Sequence, residues 1–65
     1  MVTVNGMIAE AGTSTAEMEL KGLSTDSKPT GAFSGKTVGI NSLFLELDTG
    51  DLYYFTGSTW AKVGG

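Results

Sequence analysis

The fold of this chain is decided by residues 43–55, which read Leu-Phe-Leu-Glu-Leu-Asp-Thr-Gly-Asp-Leu-Tyr-Tyr-Phe. The leucines at positions 43, 45 and 47 recur with the period of a β-strand and therefore share one face, with Phe44 and Glu46 on the opposite face. The aromatic run at 53–55 is typical of a second strand, since such side chains pack well on a pleated surface. This stretch therefore predicts two neighbouring β-strands.

Two turns separate the predicted strands of this half of the chain. The first contains Asp48, which can accept a backbone N–H two residues on, and Gly50, which tolerates positive φ. The second contains Gly57 and leads into a short third strand at residues 60–63. β-Prone runs joined by turns about eight residues apart predict a three-stranded antiparallel meander over 41–63. The structural turn residues are Asp48, Thr49, Gly50 and Gly57.

The first third of the chain, residues 1–21, is predicted to supply N-terminal strands or an extended arm. Residues 16–21 alternate small or apolar side chains with charged ones, as in a strand with one wet face. The alternative is a single turn of helix, since Ala, Glu, Met and Leu are good helix formers. Six residues are too few for a stable isolated helix, so the alternation favours the strand.

Residues 22–40 are predicted to form an extended connector. Pro29 disfavours helix at the residue before it, and the glycines of this segment discourage long regular structure. Loops of this length inside a compact domain are uncommon and usually have a function. We expect the connector to lie across a partner surface, with Leu23, Pro29 and Phe33 as its contacts. The chain is then one small, mainly β domain over 1–65.

Composition indicates how so short a chain is stabilised. It has 65 residues, with no Cys and no His. Natural proteins below roughly 70–80 residues usually gain stability from disulfides, a bound metal or oligomerisation. Without Cys no disulfide forms, and scattered carboxylates make a poor zinc site. We therefore expect partner chains to cover part of the apolar surface, and no metal or other cofactor.

The charge pattern and the apolar runs exclude two further classes of partner. The net charge is −3, and the four lysines lie far apart, whereas nucleic acid binding needs clustered cations. No apolar run approaches the roughly 18 residues of a membrane-spanning helix. The first residues show neither the basic nor the apolar region of a signal peptide. We expect no nucleic acid partner, no membrane and folding in the cytoplasm.

Candidate catalytic groups are few. Glu46, Asp48 and Asp51 could suggest an acid/base pair or a calcium loop, but calcium needs six to eight oxygen ligands. The favoured interpretation is that Asp48 caps its turn and Asp51 is solvated. The serines lack a histidine base, and the glycines at 31–39 match neither a Walker pattern nor a dinucleotide fingerprint. No catalytic, cofactor-binding or metal site is predicted, and the chain is expected not to be an enzyme.

The aromatic residues are either core or interface. Tyr and Trp are enriched at protein interfaces, and they also pack across strands in a core. A meander has two faces, so one aromatic row can be core and the other interface. The core is favoured for Tyr54 and Trp60, and both alternatives stay open for Tyr53 and Phe55.

The hairpin resembles one that is common in structural proteins of tailed bacteriophages. The shared elements are an acidic residue, an Asp-Thr-Gly turn, a Tyr-rich strand and Gly-x-x-Trp. In this chain they are Glu46, Asp48-Thr49-Gly50, Tyr53-Tyr54-Phe55 and Gly57-Ser58-Thr59-Trp60. Residues 22–30 also resemble the lead-in of small phage head-fibre and capsid-decoration proteins. These two segments, residues 22–30 and 41–60, lie within the last two thirds of the chain, and residues 1–20 match nothing in that family.

The resemblance implies a non-enzymatic virion structural protein, made in the host cytoplasm. It would be a capsid-surface decoration protein or a head-fibre base subunit that stabilises or decorates the particle. Its expected partners are the major capsid protein or other virion proteins, and it is expected to form a homo-oligomer, with a trimer favoured. Two alternatives stay open. One is a glycan-binding or host-surface adhesion module that stacks sugars on Tyr53, Phe55 and Trp60, and the other is a tail or neck component.

Overall fold

The strands of this protein form a single mixed sheet. A computed structural model describes residues 1–64, so Gly65, the last residue of the predicted domain, lies outside the described part. The strands are β1 (Thr3–Ala9), β2 (Thr15–Gly22), β3 (Ala32–Phe33), β4 (Lys36–Val38), β5 (Leu43–Glu46), β6 (Leu52–Phe55) and β7 (Trp60–Lys62). They lie in the order β3-β4-β2-β5-β6-β7, and β1 pairs with β2 outside this path. The prediction of a mainly β fold is confirmed.

The C-terminal meander is present as predicted. β5 pairs antiparallel with β6, and β6 pairs antiparallel with β7. In the first turn Gly50 has a φ of 77° and donates its N–H to the Glu46 carbonyl over 2.8 Å. In the second turn Gly57 has a φ of 111°. Both glycines occupy backbone conformations that residues with a Cβ rarely adopt.

The N-terminal segment is a β-hairpin of the same sheet. β1 pairs antiparallel with β2, and the register shifts between Val4 and Gly6. Along β2 the side chains of Ala16, Met18 and Leu20 are buried, while those of Glu17 and Glu19 are exposed. This alternation is the one that the sequence predicts for a strand, and the helical alternative is wrong.

The sheet is not purely antiparallel, because β2 pairs in parallel with two strands along one edge. β4 pairs with Thr15 and Ala16, and β5 pairs with residues 19–22. Parallel neighbours require a crossover of a dozen or more residues. The connector supplies this crossover, since it leaves β2 at Gly22 and returns the chain to the other end of β2.

The connector also contains a hairpin that the sequence did not predict. β3 and β4 pair antiparallel with Phe33 opposite Lys36. The two intervening residues, Ser34 and Gly35, have φ values of 54° and 84°. Positive φ at both central positions is the type I′ geometry, which matches the twist of two paired strands.

One face of the sheet, the inner face, carries the hydrophobic core. Its buried apolar residues are Ala16, Met18, Leu20, Val38, Phe44 and Phe55, with Val2, Val4, Phe33, Tyr53 and Trp60 packed against them. The rest of the connector crosses this face, where the Pro29 carbonyl accepts a hydrogen bond from the Trp60 indole over 2.8 Å. The opposite face, with Glu17 and Glu19, is the outer face. No segment of residues 1–64 packs over it as the connector packs over the inner face.

Candidate functional site

The outer face carries two rows of side chains that run across the strands. The strand register pairs Glu19 with Leu43, Leu43 with Tyr54, and Tyr54 with Ala61. These four residues form the Glu19 row. The second row, the Lys21 row, contains Lys21, Leu45, Leu52 and Val63. Val63 follows β7 and continues the row, because its N–H donates to the Leu52 carbonyl over 2.8 Å.

Four of the apolar side chains in the two rows are more than a third exposed to solvent. Leu45 is 40% exposed, Leu52 36%, Tyr54 39% and Val63 47%. Contiguous exposed apolar side chains on a small protein mark a contact surface more often than single exposed residues do. The outer face is therefore the candidate binding surface of this molecule.

A shallow cleft lies between the two rows. Its volume is about 180 Å³, and Leu43, Leu45 and Leu52 line it together with Glu19 and Lys21. A second cleft of about 160 Å³ lies on the other side of Glu19, against β1. The surface is thus apolar with shallow depressions, and charged side chains of β2 stand at its border.

The structure divides the predicted aromatic residues between the two faces. Phe55 is 2% exposed and belongs to the core, and Tyr53 packs against the core. Trp60 also packs there, with its ring centroid 5.2 Å from that of Phe55. The expectation that Tyr54 belongs to the core is wrong. Its register partner Leu43 points outward, so Tyr54 lies on the outer face.

The predicted contact residues of the connector lie in different surroundings. Pro29 is half-buried on the inner face, and Phe33 packs against the core. Leu23 is 43% exposed. The connector thus lies across this chain's own sheet, because the meander's aromatic rings need cover. Contact of Leu23 with a partner chain stays a prediction.

The first turn is held to the connector by its acidic residue. Asp48 accepts hydrogen bonds from the Ser24 hydroxyl over 2.6 Å and from the Ser24 N–H over 2.9 Å. These two bonds lower the pKa of the Asp48 carboxyl below its ordinary value of 3.8. The Thr49 hydroxyl accepts from the N–H of Asp51 over 3.2 Å. The sequence predicted that the Asp48 side chain accepts a hydrogen bond from the backbone N–H two residues on. In the structure Thr49 makes a bond of this kind instead, and it holds the turn.

An ion pair on the inner face was missed at the level of sequence. The Lys28 ammonium lies 2.5 Å from a Glu46 carboxylate oxygen, and both side chains are largely buried. The same ammonium lies 4.9 Å from the ring centroid of Phe44 and 4.3 Å from that of Tyr53. Lys28 and the Thr49 hydroxyl hold the pKa of the Glu46 carboxyl below its ordinary value of 4.5. The sequence holds one indication of this ion pair. The alternation along the strand puts Glu46 on the same face as Phe44, where a buried carboxylate needs a partner.

Ser42 is a second residue whose role was missed. It is fully buried, donates its hydroxyl to the Gly39 carbonyl over 2.7 Å and accepts from the Met18 N–H over 2.9 Å. Met18 lies between the part of β2 that pairs with β4 and the part that pairs with β5. The serine hydroxyl supplies the acceptor that neither strand provides there. No sequence pattern indicates this role.

The three acidic residues of the β5–β6 region contact different partners. Glu46 pairs with Lys28, Asp48 binds Ser24, and Asp51 lies 3.5 Å from the Lys62 ammonium. Within residues 1–64 no three acidic side chains gather in a group that could hold a metal ion. In the same part of the chain no helix is long and apolar enough to cross a bilayer.

Comparison of this chain with protein families, with curated proteins and with solved structures returned no match.

Proposed function

We propose that this chain is a non-enzymatic structural subunit of a tailed-phage particle. It acts at the capsid surface, as a decoration protein or a head-fibre base, through contacts with the major capsid protein or another virion protein and with further copies of itself. The resemblance of the hairpin at residues 41–60 to the hairpin of phage structural proteins supports the proposal that the particle is a tailed phage.

The uncovered outer face is the observation that carries the contact function. In the isolated chain this sheet face exposes apolar surface to water. Its side chains that are each more than a third exposed are Leu45, Leu52, Tyr54 and Val63. Burial of apolar surface stabilises by about 25 cal/mol per Å², so covering this face with protein is favourable. A protein of 65 residues gains from such cover more than a larger one, because its own core is small.

No observation favours the glycan-binding alternative. Its stacking platform was expected to consist of Tyr53, Phe55 and Trp60. Phe55 is buried, Lys28 lies over the Tyr53 ring, and the Trp60 indole is hydrogen-bonded to the connector. The aromatic surface that stacking needs is therefore engaged inside the molecule.

A tail or neck location would use the same outer face and differs from the capsid location only in where the chain lies on the particle.

Imaging of particles purified with and without this chain tests the proposal. We expect added density on the capsid surface when the chain is present. Density at the tail or neck would overturn the capsid location, and absence of the chain from washed particles would overturn the proposal. Leu45→Ser should reduce incorporation of the chain. Leu47→Ser is the matched control, since Leu47 is 57% exposed but lies beyond β5 and outside the two rows.

A further inference from the structure

We propose that the outer face binds the outer face of a second copy of this chain, related to the first by a two-fold axis. The axis lies across the strands, between the Glu19 row and the Lys21 row. This inference rests on the proposed function, because it identifies one of the proposed partners, a second copy of this chain, as the protein that covers the outer face. Its geometry comes from the register of the sheet alone.

The two rows are complementary to each other, position by position. Rotation by 180° about an axis between them places the Glu19 row of one copy over the Lys21 row of the other. Glu19 then faces Lys21, Leu43 faces Leu45, Tyr54 faces Leu52, and Ala61 faces Val63. Each contact occurs twice, as in every isologous interface.

Charge selects this axis over its neighbours. An axis that ran along the Glu19 row would place Glu19 of one copy against Glu19 of the other. An axis along the Lys21 row would oppose two lysines in the same way. Like charges in contact are unfavourable, whereas the axis between the rows opposes unlike charges twice. The apolar pairs stabilise the contact, and the charged pairs fix the register of the two copies.

The size of the molecule allows a pair with an interface of ordinary area. The molecule measures 36 Å by 23 Å across its two longer axes and is 16 Å thick. The area spanned by the two longer dimensions of the molecule is on the order of the ~800 Å² per partner that standard protein interfaces bury. Two sheets packed face to face keep their strands roughly aligned and lie about 10 Å apart. The cleft of about 180 Å³ between the rows lies at the axis and can receive leucine side chains of the second copy.

A face-to-face contact of this kind closes at two copies, because each outer face is used once. The trimer that the resemblance favours would need a different, heterologous contact. The number of copies in solution therefore separates the two assemblies.

Sedimentation equilibrium of the purified chain, in the absence of particles, is the test. We expect the mass of a dimer for the wild-type chain at micromolar concentrations. Glu19→Lys and Lys21→Glu should each weaken the dimer by about tenfold or more, because each replaces two attractive contacts with two repulsive ones. An equimolar mixture of the two variants should associate again, since every charged contact between unlike copies is then attractive. The double variant E19K/K21E should dimerise alone for the same reason.

The outcomes separate this inference from the proposed function. A monomeric or trimeric wild-type chain, or a mixture of the two variants that does not associate, overturns the two-fold pair. A wild-type chain that is monomeric in solution but is incorporated into particles would overturn the pair and leave the proposed function in place. Leu47→Ser, at an exposed leucine beyond β5 and outside the two rows, is the control and should keep the wild-type mass. Far-ultraviolet circular dichroism confirms that each surface variant is folded.

Discussion

At the scale of single residues, Ser42 shows how one hydroxyl joins two parts of the sheet. The backbone N–H of Met18 is buried at the point where the edge of β2 passes from β4 to β5. A buried backbone donor without an acceptor is unfavourable, and the Ser42 hydroxyl provides the acceptor. The same hydroxyl donates to Gly39 and so holds the bend between the two strands.

We predict that Ser42→Ala destabilises the fold by about 1–3 kcal/mol, because it leaves the Met18 N–H buried without a partner. Urea unfolding followed by the fluorescence of Trp60, the single tryptophan, measures the change. Ser58→Ala, in the exposed second turn, should change stability by less than about 0.5 kcal/mol. Equal stability of the two variants would show that the hydroxyl of Ser42 has no structural role.

The acidic residues that hold the connector make stability depend on pH. Glu46 and Asp48 have folded-state pKa values below their ordinary values of 4.5 and 3.8. Their contribution is therefore fully present above those ordinary values and is lost as the pH falls through the folded-state pKa values. We predict that the unfolding temperature falls steeply as the pH is lowered from about 5 towards about 3.

The variant Lys28→Met tests the source of this dependence. It keeps an apolar stem near Phe44 and Tyr53 but leaves Glu46 without its cation. Its loss of stability should be largest at neutral pH and should shrink in acid, where Glu46 is protonated. Lys36→Met is the matched control, because Lys36 forms no ion pair among residues 1–64. A constant difference between Lys28→Met and the wild type at every pH would contradict the assignment.

At the scale of the elements, the connector has two functions. It is the crossover that makes β2 parallel to β4 and β5, and it covers the inner face of the meander. Its contacts with the meander are polar at the Ser24–Asp48, Lys28–Glu46 and Pro29–Trp60 pairs. The connector therefore belongs to the fold and is not a free arm.

The β3–β4 hairpin of the connector yields a prediction of increased stability. Ser34 has a φ of 54°, and left-handed backbone is unfavourable for most residues but tolerated by Asn. Asn-Gly is also the preferred pair for a type I′ turn. We expect Ser34→Asn to stabilise the protein by up to about 1 kcal/mol in urea unfolding. Ser58→Asn should give no gain, since Ser58 is not among the residues with positive φ.

At the scale of the whole molecule, the sheet has one covered and one uncovered face. The burial of side chains also varies along the inner face. Met7 and Met18 are directly paired on β1 and β2, yet Met18 is 1% exposed and Met7 is 36% exposed. The core thus lies over the meander side of β2, and the end of the β1–β2 hairpin extends beyond it.

This asymmetry predicts different effects for two identical substitutions. Met18→Ala removes a fully buried side chain and should destabilise the protein by about 2–5 kcal/mol. Met7→Ala should change stability by no more than about 0.5 kcal/mol. Urea unfolding of both variants measures the effects, and similar losses at the two positions would mean that the hairpin end is also part of the core.

The sequence alone determined where β2 and the three strands of the meander lie. The alternation at residues 16–21 and 43–46, and the turns around Gly50 and Gly57, depend on contacts between near neighbours in the chain. Such local patterns state which side chains share a face. The resulting meander, the strand at β2 and the turn positions match the structure.

Only the tertiary structure decided which face is covered and how the strands are ordered. The alternation along a strand shows that Leu45 and Phe44 lie on opposite faces, but it does not show which face is buried. The sequence therefore placed Tyr54 on the wrong face. The face with Phe44 became the core because the connector folds back over it and supplies Lys28 and the Pro29 carbonyl as partners. These contacts join residues 16 to 31 positions apart, so no local pattern carries them. The parallel pairing of β2, the role of Ser42 and the two rows of the outer face follow from that same long-range return of the chain.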